Sequence, residues 1–190
     1  MSRKTAVSPA SRPLRLLGKS DVAARFEHAL STSDGVEGAH CIHELWMRGE
    51  MAVHIDRALE RLWKHSASSI PDWLPTRHIE WLSLAYEAAA EFKPAKRGRN
   101  NVYLVLLDYS DSRPEPYGVY VGMSAHKPAD RFDQHKAGIR SAGCVLRRGV
   151  EVLAGPTLHL CNVSRTEAAR IEEQLAEALT MRGLFVQGGH

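Results

Sequence analysis

The hydrophobic pattern of this chain has one period before residue 93 and another after residue 100, which restricts it to a fold with a helical part and a part built on a sheet. In DVAARFEHAL, Val22, Phe26 and Leu30 fall on one side behind a Ser20 or Asp21 cap. After STSDGVEG a second helix is expected over 39–65, with Ile42, Leu45, Trp46, Val53, Leu59, Leu62 and Trp63 in a broad stripe and Gly49 as a bend. Pro71 and Pro75 break the pattern, and Thr76 is the expected cap of a further helix carrying Ile79, Leu82, Tyr86 and Phe92. These make a helical domain over 20–92. KPAKRGRN reads as a basic linker over 93–100, and residues 1–19, which hold five basic residues and no acid, read as a flexible basic arm.

Beyond residue 100 the pattern becomes that of strands. NVYLVLLDYS and GVYVG, joined by a Pro- and Gly-bearing turn, predict an antiparallel hairpin. A helix opening at Pro128 and stopping at Gly138 follows, then a short helix within 140–148. TLHLCNV (157–163) alternates like a third strand, and SRTEAARIEEQLAEALTMRG is a helix with Ser164 and Glu167 in capping-box spacing and Gly183 as its stop. The expected class is α+β. A domain over 101–190, with a small three-stranded antiparallel sheet flanked by helices, is preceded by an all-helical domain.

Composition removes several function classes. The apolar fraction of 44% and charged fraction of 25% are those of a soluble globular protein. VYLVLL is far shorter than the roughly 20 residues of a membrane span, so no membrane association is expected. Three separated cysteines without a CxxC pair suit a reducing compartment, hence a cytoplasmic location, with export lacking a cleavable signal left open. A net charge of +3 permits contact with nucleic acid without requiring it. His40, Cys41, His43 and His54 share neither a CxxC nor an HExxH frame, and helical spacing does not bring them to one point, so they are not read as a metal site. Trp46, Trp63, Trp73 and Trp81 are read as packing residues.

The chemistry-bearing stretch is YGVYVGMSAHKPADRFDQHKAG (117–138). It combines a tyrosine at a strand end, a tight glycine turn at Gly122, and Arg131 and His135 four residues apart on one helix face, the parts of a phosphate pocket. In the last helix, Ala168, Ile171, Leu175, Ala178 and Leu179 form the buried stripe. Glu172 lies at its inner edge, Glu173 and Glu177 point outward, and Glu167 serves the cap.

In order and content this half resembles the GIY-YIG nuclease family. Asn101-Val102-Tyr103 stands in the place of the first triplet and Tyr120-Val121-Gly122 in that of the second; RFDQH supplies Arg131 and His135, and EAARIEEQL places the family's metal-binding glutamate on Glu172. The sequence departs from the family at Asn101, where glycine is usual, and in the longer loop between triplets. It also departs near the end of the domain, where Gln187 stands in for an asparagine. The resemblance implies a divalent-metal-dependent endonuclease with Tyr103, Tyr120, Arg131, His135 and Glu172 as catalytic residues and Mg²⁺ or Mn²⁺ held by Glu172. Tyr103 would deprotonate or position water, and Tyr120 would orient it or the phosphate. Arg131 would clamp the phosphate, and His135 would relay a proton or bind phosphate, with Arg131 or His135 supplying the positive charge a phenol base needs. The implied partner is DNA, double-stranded before RNA, with the N-terminal helices serving DNA binding, a homodimer or a protein partner. Two alternatives stand beside this: a nucleic-acid-binding module of the same fold that cleaves weakly, and a nuclease toxin or effector.

Overall fold

Residues 12–71, 74 and 79–189 are described by the computed structural model, and the chain divides into two units, Met1–His78 and Ile79–His190. Among the described residues no helix is long and apolar enough to cross a membrane.

The first unit contains α1 (Lys19–Ser31), α2 (Gly35–Met47) and α3 (Ala52–Ser66). Val22, Phe26, Ala29 and Leu30 give α1 its buried side. Asp34 caps α2 by accepting the N–H groups of Val36 and Glu37. The single helix expected over 39–65 is two helices. Gly49 has a φ of 84°, a left-handed conformation at the residue after the cap that stops α2 and reverses the chain. Trp46 is buried, whereas Trp63 is 47% exposed on α3 and not part of a core. Thr76 and Trp73 lie outside the described residues.

Residues 12–18 are not a free arm; residues 1–11 lie outside the described residues. Arg12 is buried and forks onto Glu44, with Nε 3.0 Å from Oε2 and Nη2 2.9 Å from Oε1. Arg48 donates to Glu44 at 2.6 Å and to the Leu17 and Leu14 carbonyls at 2.9 and 3.1 Å. Burial opposes the charge of Glu44, but the hydrogen bonds from Arg12 and Arg48 outweigh it and hold the carboxyl below its usual range. Of the His and Cys cluster, His40, Cys41 and His43 are buried on α2, while His54 pairs with Glu50 at 2.8 Å. Among the described residues no three His, Cys, Asp or Glu side chains are grouped to hold a metal ion.

The second unit carries a mixed four-stranded sheet in the order β3-β1-β2-β4, not three antiparallel strands. β1 (Asn101–Asp108) and β2 (Tyr117–Ser124) form the expected hairpin, with Tyr103 opposite Gly122 and Tyr120 opposite Val105. Since side chains alternate, Tyr103 and Tyr120 share a face. β3 (Gly149–Val152) is antiparallel to β1, and β4 (Val186–Gly188) runs parallel to β2.

The first part of the segment expected as a third strand is instead helical, as the end of α7 (Ala154–Thr157) and a 3₁₀ turn (Leu158–Leu160), and only Val163 makes an antiparallel bridge, with Asn100. The segment's buried positions are Thr157, Leu160 and Val163, three apart, while Leu158 is exposed; that spacing is not the alternation of a strand. The helices α5 (Pro128–Lys136), α6 (Gly143–Arg148) and α8 (Arg165–Met181) fall where the pattern places them. Ser164 accepts the Glu167 N–H, but the Glu167 carboxylate turns to Arg170 and does not close a capping box.

α4 (Leu82–Ala90) belongs to this second unit and not to the helical one, packing against α7 and α8. The Ala89 carbonyl is 2.8 Å from His159 Nε2, and Arg182 pairs with Glu91. Residues 93–100 are likewise bound into the unit. Asn100 and Val163 exchange backbone hydrogen bonds at 3.0 and 2.9 Å, and Lys96 donates to the His159 and Cys161 carbonyls. The segment is pinned and is not a free tether.

Candidate active site

The site is assembled on the β1–β2 hairpin. β1 is buried on both faces, with Val102, Leu104 and Leu106 at 0% exposure on one and Tyr103, Val105 and Leu107 on the other. That central position fixes the Tyr103 ring. Tyr120 stands beside it, ring centroids 6.2 Å apart and tilted 51°. Gly122 is in the strand, not in a turn, and its role is space. A Cβ there would sit 2.5 Å from Tyr120 Cε1, closer than a side chain tolerates, and 3.0 Å from the Tyr103 hydroxyl, a tight contact.

α5 brings Arg131 and His135 over this face. His135 is 1% exposed. Its Nε2 lies 3.0 Å from Tyr103 Oη, and its ring meets that of Tyr120 edge-on at 5.8 Å. On its other side Nδ1 receives the Ala142 backbone N–H at 2.9 Å. Burial, and then the Arg131 charge, push the imidazole down to about 4, so His135 is neutral near pH 7. The positive charge beside the phenols is therefore that of Arg131 and not of His135. Arg131 is half-buried and tethered to Gln134 Oε1, the Ile139 carbonyl and the Arg140 carbonyl at 3.0, 3.1 and 2.6 Å. Its charge favours the ionised form of the nearby Tyr103 phenol.

Burial raises the Tyr103 phenol far above its usual range despite Arg131. Tyr120, half-buried, is raised first by burial and then by the charge of Glu172. Glu172 itself, half-buried on α8, is raised by burial while the Met123 backbone N–H works the other way. Glu173 and Glu177 are exposed. Of the five residues singled out in the sequence, Tyr103, Tyr120 and His135 are in mutual contact, and the charges of Arg131 and Glu172 act on both phenols.

The Asn101 amide is engaged with backbone groups outside this cluster. Buried at the start of β1, it donates through Nδ2 to the His126 carbonyl at 2.9 Å and accepts the Asn162 N–H through Oδ1 at 3.1 Å. Its amide staples the loop after β2 to the loop before α8. Gln187 pairs in register with Tyr120 across β2 and β4, so it borders the site on the same face.

Sequence reasoning missed Gln134, the Ala142 and Met123 backbone amides and Cys144, a half-buried thiol whose charge would act on Tyr120. Gln134 was legible as the third residue after Arg131 on the same face. The backbone amides were not, because every residue type except proline carries one.

No family model, curated protein or solved structure matches this chain.

Proposed function

We propose that the second unit is a divalent-metal-dependent endonuclease that hydrolyses phosphodiester bonds in DNA. The observation that supports it is the meeting of two phenols, a tethered guanidinium, a neutral imidazole and a half-buried carboxylate drawn from two strands and two helices.

Phosphodiester hydrolysis needs a positioned water and stabilisation of charge developing on phosphate oxygens. Arg131, its plane set by the Ile139 and Arg140 carbonyls, presents a cation whose forked donors match phosphate geometry. The phenols supply hydroxyls that orient water against phosphate. Glu172 fits a hard divalent cation: it is a carboxylate in surroundings that disfavour its bare charge, and its neighbours Tyr103 and Tyr120 are also oxygen donors. Glu172 would hold Mg²⁺ or Mn²⁺, which when bound supplies Lewis-acid neutralisation of phosphate charge. The first unit would serve DNA binding or docking of a partner.

A second reading, a nucleic-acid-binding module of the same fold without efficient cleavage, is favoured by the burial that raises both phenols. Plasmid nicking with Mg²⁺, Mn²⁺ or chelator separates the two. The nuclease nicks with metal and loses at least ~100-fold in Glu172→Ala, the scale of losing a major electrostatic contributor. Binding without nicking under any metal would leave only the second reading.

A further inference from the structure

The sheet face that carries Tyr103 and Tyr120 continues toward the loop between β1 and β2. Gly118 pairs with Leu107 and lies two residues from Tyr120, so it stands on the same face, about 7 Å along the strand. A Cβ at Gly118 would sit 2.8 Å from Phe185 Cδ1 and 3.4 Å from Tyr109 Cε2. The bare strand makes room for two rings there. Phe185, just before β4, and Tyr109, just after β1, meet edge-on with centroids 5.0 Å apart.

Two guanidiniums lie over these rings. Arg113 Cζ is 3.9 Å from the centre of Phe185, and Arg148 Cζ, at the end of α6, is 5.1 Å from that of Tyr109. The loop that carries Arg113 is held in place, since the N–H groups of Ser112 and Arg113 both donate to the Tyr109 carbonyl at 2.9 Å. The two cations differ in how their charge is used. Arg148 pairs with Asp111, and the charge of Asp108 also acts on it. Arg113 is exposed, and among the described residues no carboxylate pairs with it; Glu115, the other acid of the loop, pairs with no described cation. A ring steadies a guanidinium through its flat face and leaves its charge and its N–H edge available, whereas a carboxylate occupies both. Arg147, exposed on α6, adds a second cation without a described carboxylate, and its charge acts on Tyr109 together with that of Arg113.

We propose that Arg113, held flat on Phe185, and Arg147 bind phosphates of a DNA strand beside the one seated at Tyr120. That a reacting phosphate sits at Tyr120 rests on the nuclease reading; the phosphate contacts of the two arginines do not. Each nucleotide advances a DNA strand by about 3.4 Å along the duplex axis, so the patch lies about two nucleotides from Tyr120. Arg113 and Arg147 position the strand and touch no reacting atom.

The test measures binding of a DNA duplex of about 20 base pairs to the full chain in chelator, so that nothing is cut, between about 50 and 200 mM salt. Each cation that neutralises a phosphate contributes about 0.9 to the slope of log Kd against log salt. Among variants whose amide spectra match the wild type, Arg113→Gln and Arg147→Gln should each lower that slope by about 0.9, and the double variant by ~1.8. Arg165→Gln, at an exposed position on α8, should leave it unchanged. Phe185→Leu keeps every charge but removes the ring under Arg113, so its binding should weaken at the wild-type slope. A wild type that does not bind the duplex, an unchanged slope in Arg113→Gln, or an equal loss in Arg165→Gln overturns the proposal. An unchanged slope in Arg147→Gln alone overturns the part given to Arg147, and wild-type affinity in Phe185→Leu overturns the part given to the ring. A wild type that binds with the expected slopes but nicks nothing with any metal removes the nuclease reading and leaves the patch. One that nicks while Arg113→Gln keeps its slope removes the patch and leaves the nuclease.

Discussion

Asn101 is the residue at which sequence resemblance and physical role separate most clearly. At a position where the resemblance expects glycine, its amide is buried and spent on the His126 carbonyl and the Asn162 N–H. Asn101→Ala would leave both backbone groups without their partner, at a cost of about 2 kcal/mol. Urea unfolding should show that loss as a lower midpoint with an unchanged slope. Gly122 makes the opposite case. Its identity was legible as part of a triplet, but the need for it arises from the Tyr103 and Tyr120 rings lying over the strand. One residue was fixed by a polar bridge across 61 positions of chain, the other by the absence of atoms.

At the scale of elements, α2 illustrates how burial sets protonation. Burial pushes His43 down to about 4 from an ordinary value near 6.5, so between those values the unfolded chain binds the extra proton. Stability contributed by the neutral ring is therefore complete above about pH 6.5, falls as pH drops toward 4, and is gone below it, with a maximum slope of about 1.4 kcal/mol per pH unit. Unfolding of the wild type should become easier across that window. His43→Leu should flatten the dependence there, and an unchanged slope would disprove it. Glu50, held down to about 2 by hydrogen bonds from Lys19 and His54, loses its contribution only at lower pH. The elements that sequence misjudged share one cause. Residues 157–163 alternate in hydropathy, but the chain there leaves α7 through a 3₁₀ turn and buries Thr157, Leu160 and Val163, three apart. β3 and β4 are four and three residues long, too short for any period to register.

For the whole molecule, composition placed the domain boundary at residues 93–100, and packing places it after residue 78. α4 covers α7 and α8 in the second unit, and Lys96 and Asn100 are bonded to residues 159–163. A chain beginning at residue 79 should fold cooperatively, whereas one beginning at residue 93 loses α4, exposes the apolar surface it covers, and should melt at lower temperature or not fold. Circular dichroism of the two truncations decides this; equal melting would return the boundary to the basic segment.

Local order carries its own signature in the chain. The hairpin follows from β-branched runs around a turn, α5 from Pro128 and its stop at Gly138, and α8 from the Ser164 cap and a regular stripe that also aims Glu172 inward. Periodicity and capping are interactions between near neighbours, so residue order encodes them. The strand order β3-β1-β2-β4, the neutral His135 and its hydrogen bond to Tyr103 belong to another level. They depend on backbone amides such as that of Ala142 and on desolvation. Backbone amides are the same at almost every position, and desolvation exists only once distant segments have excluded water from each other.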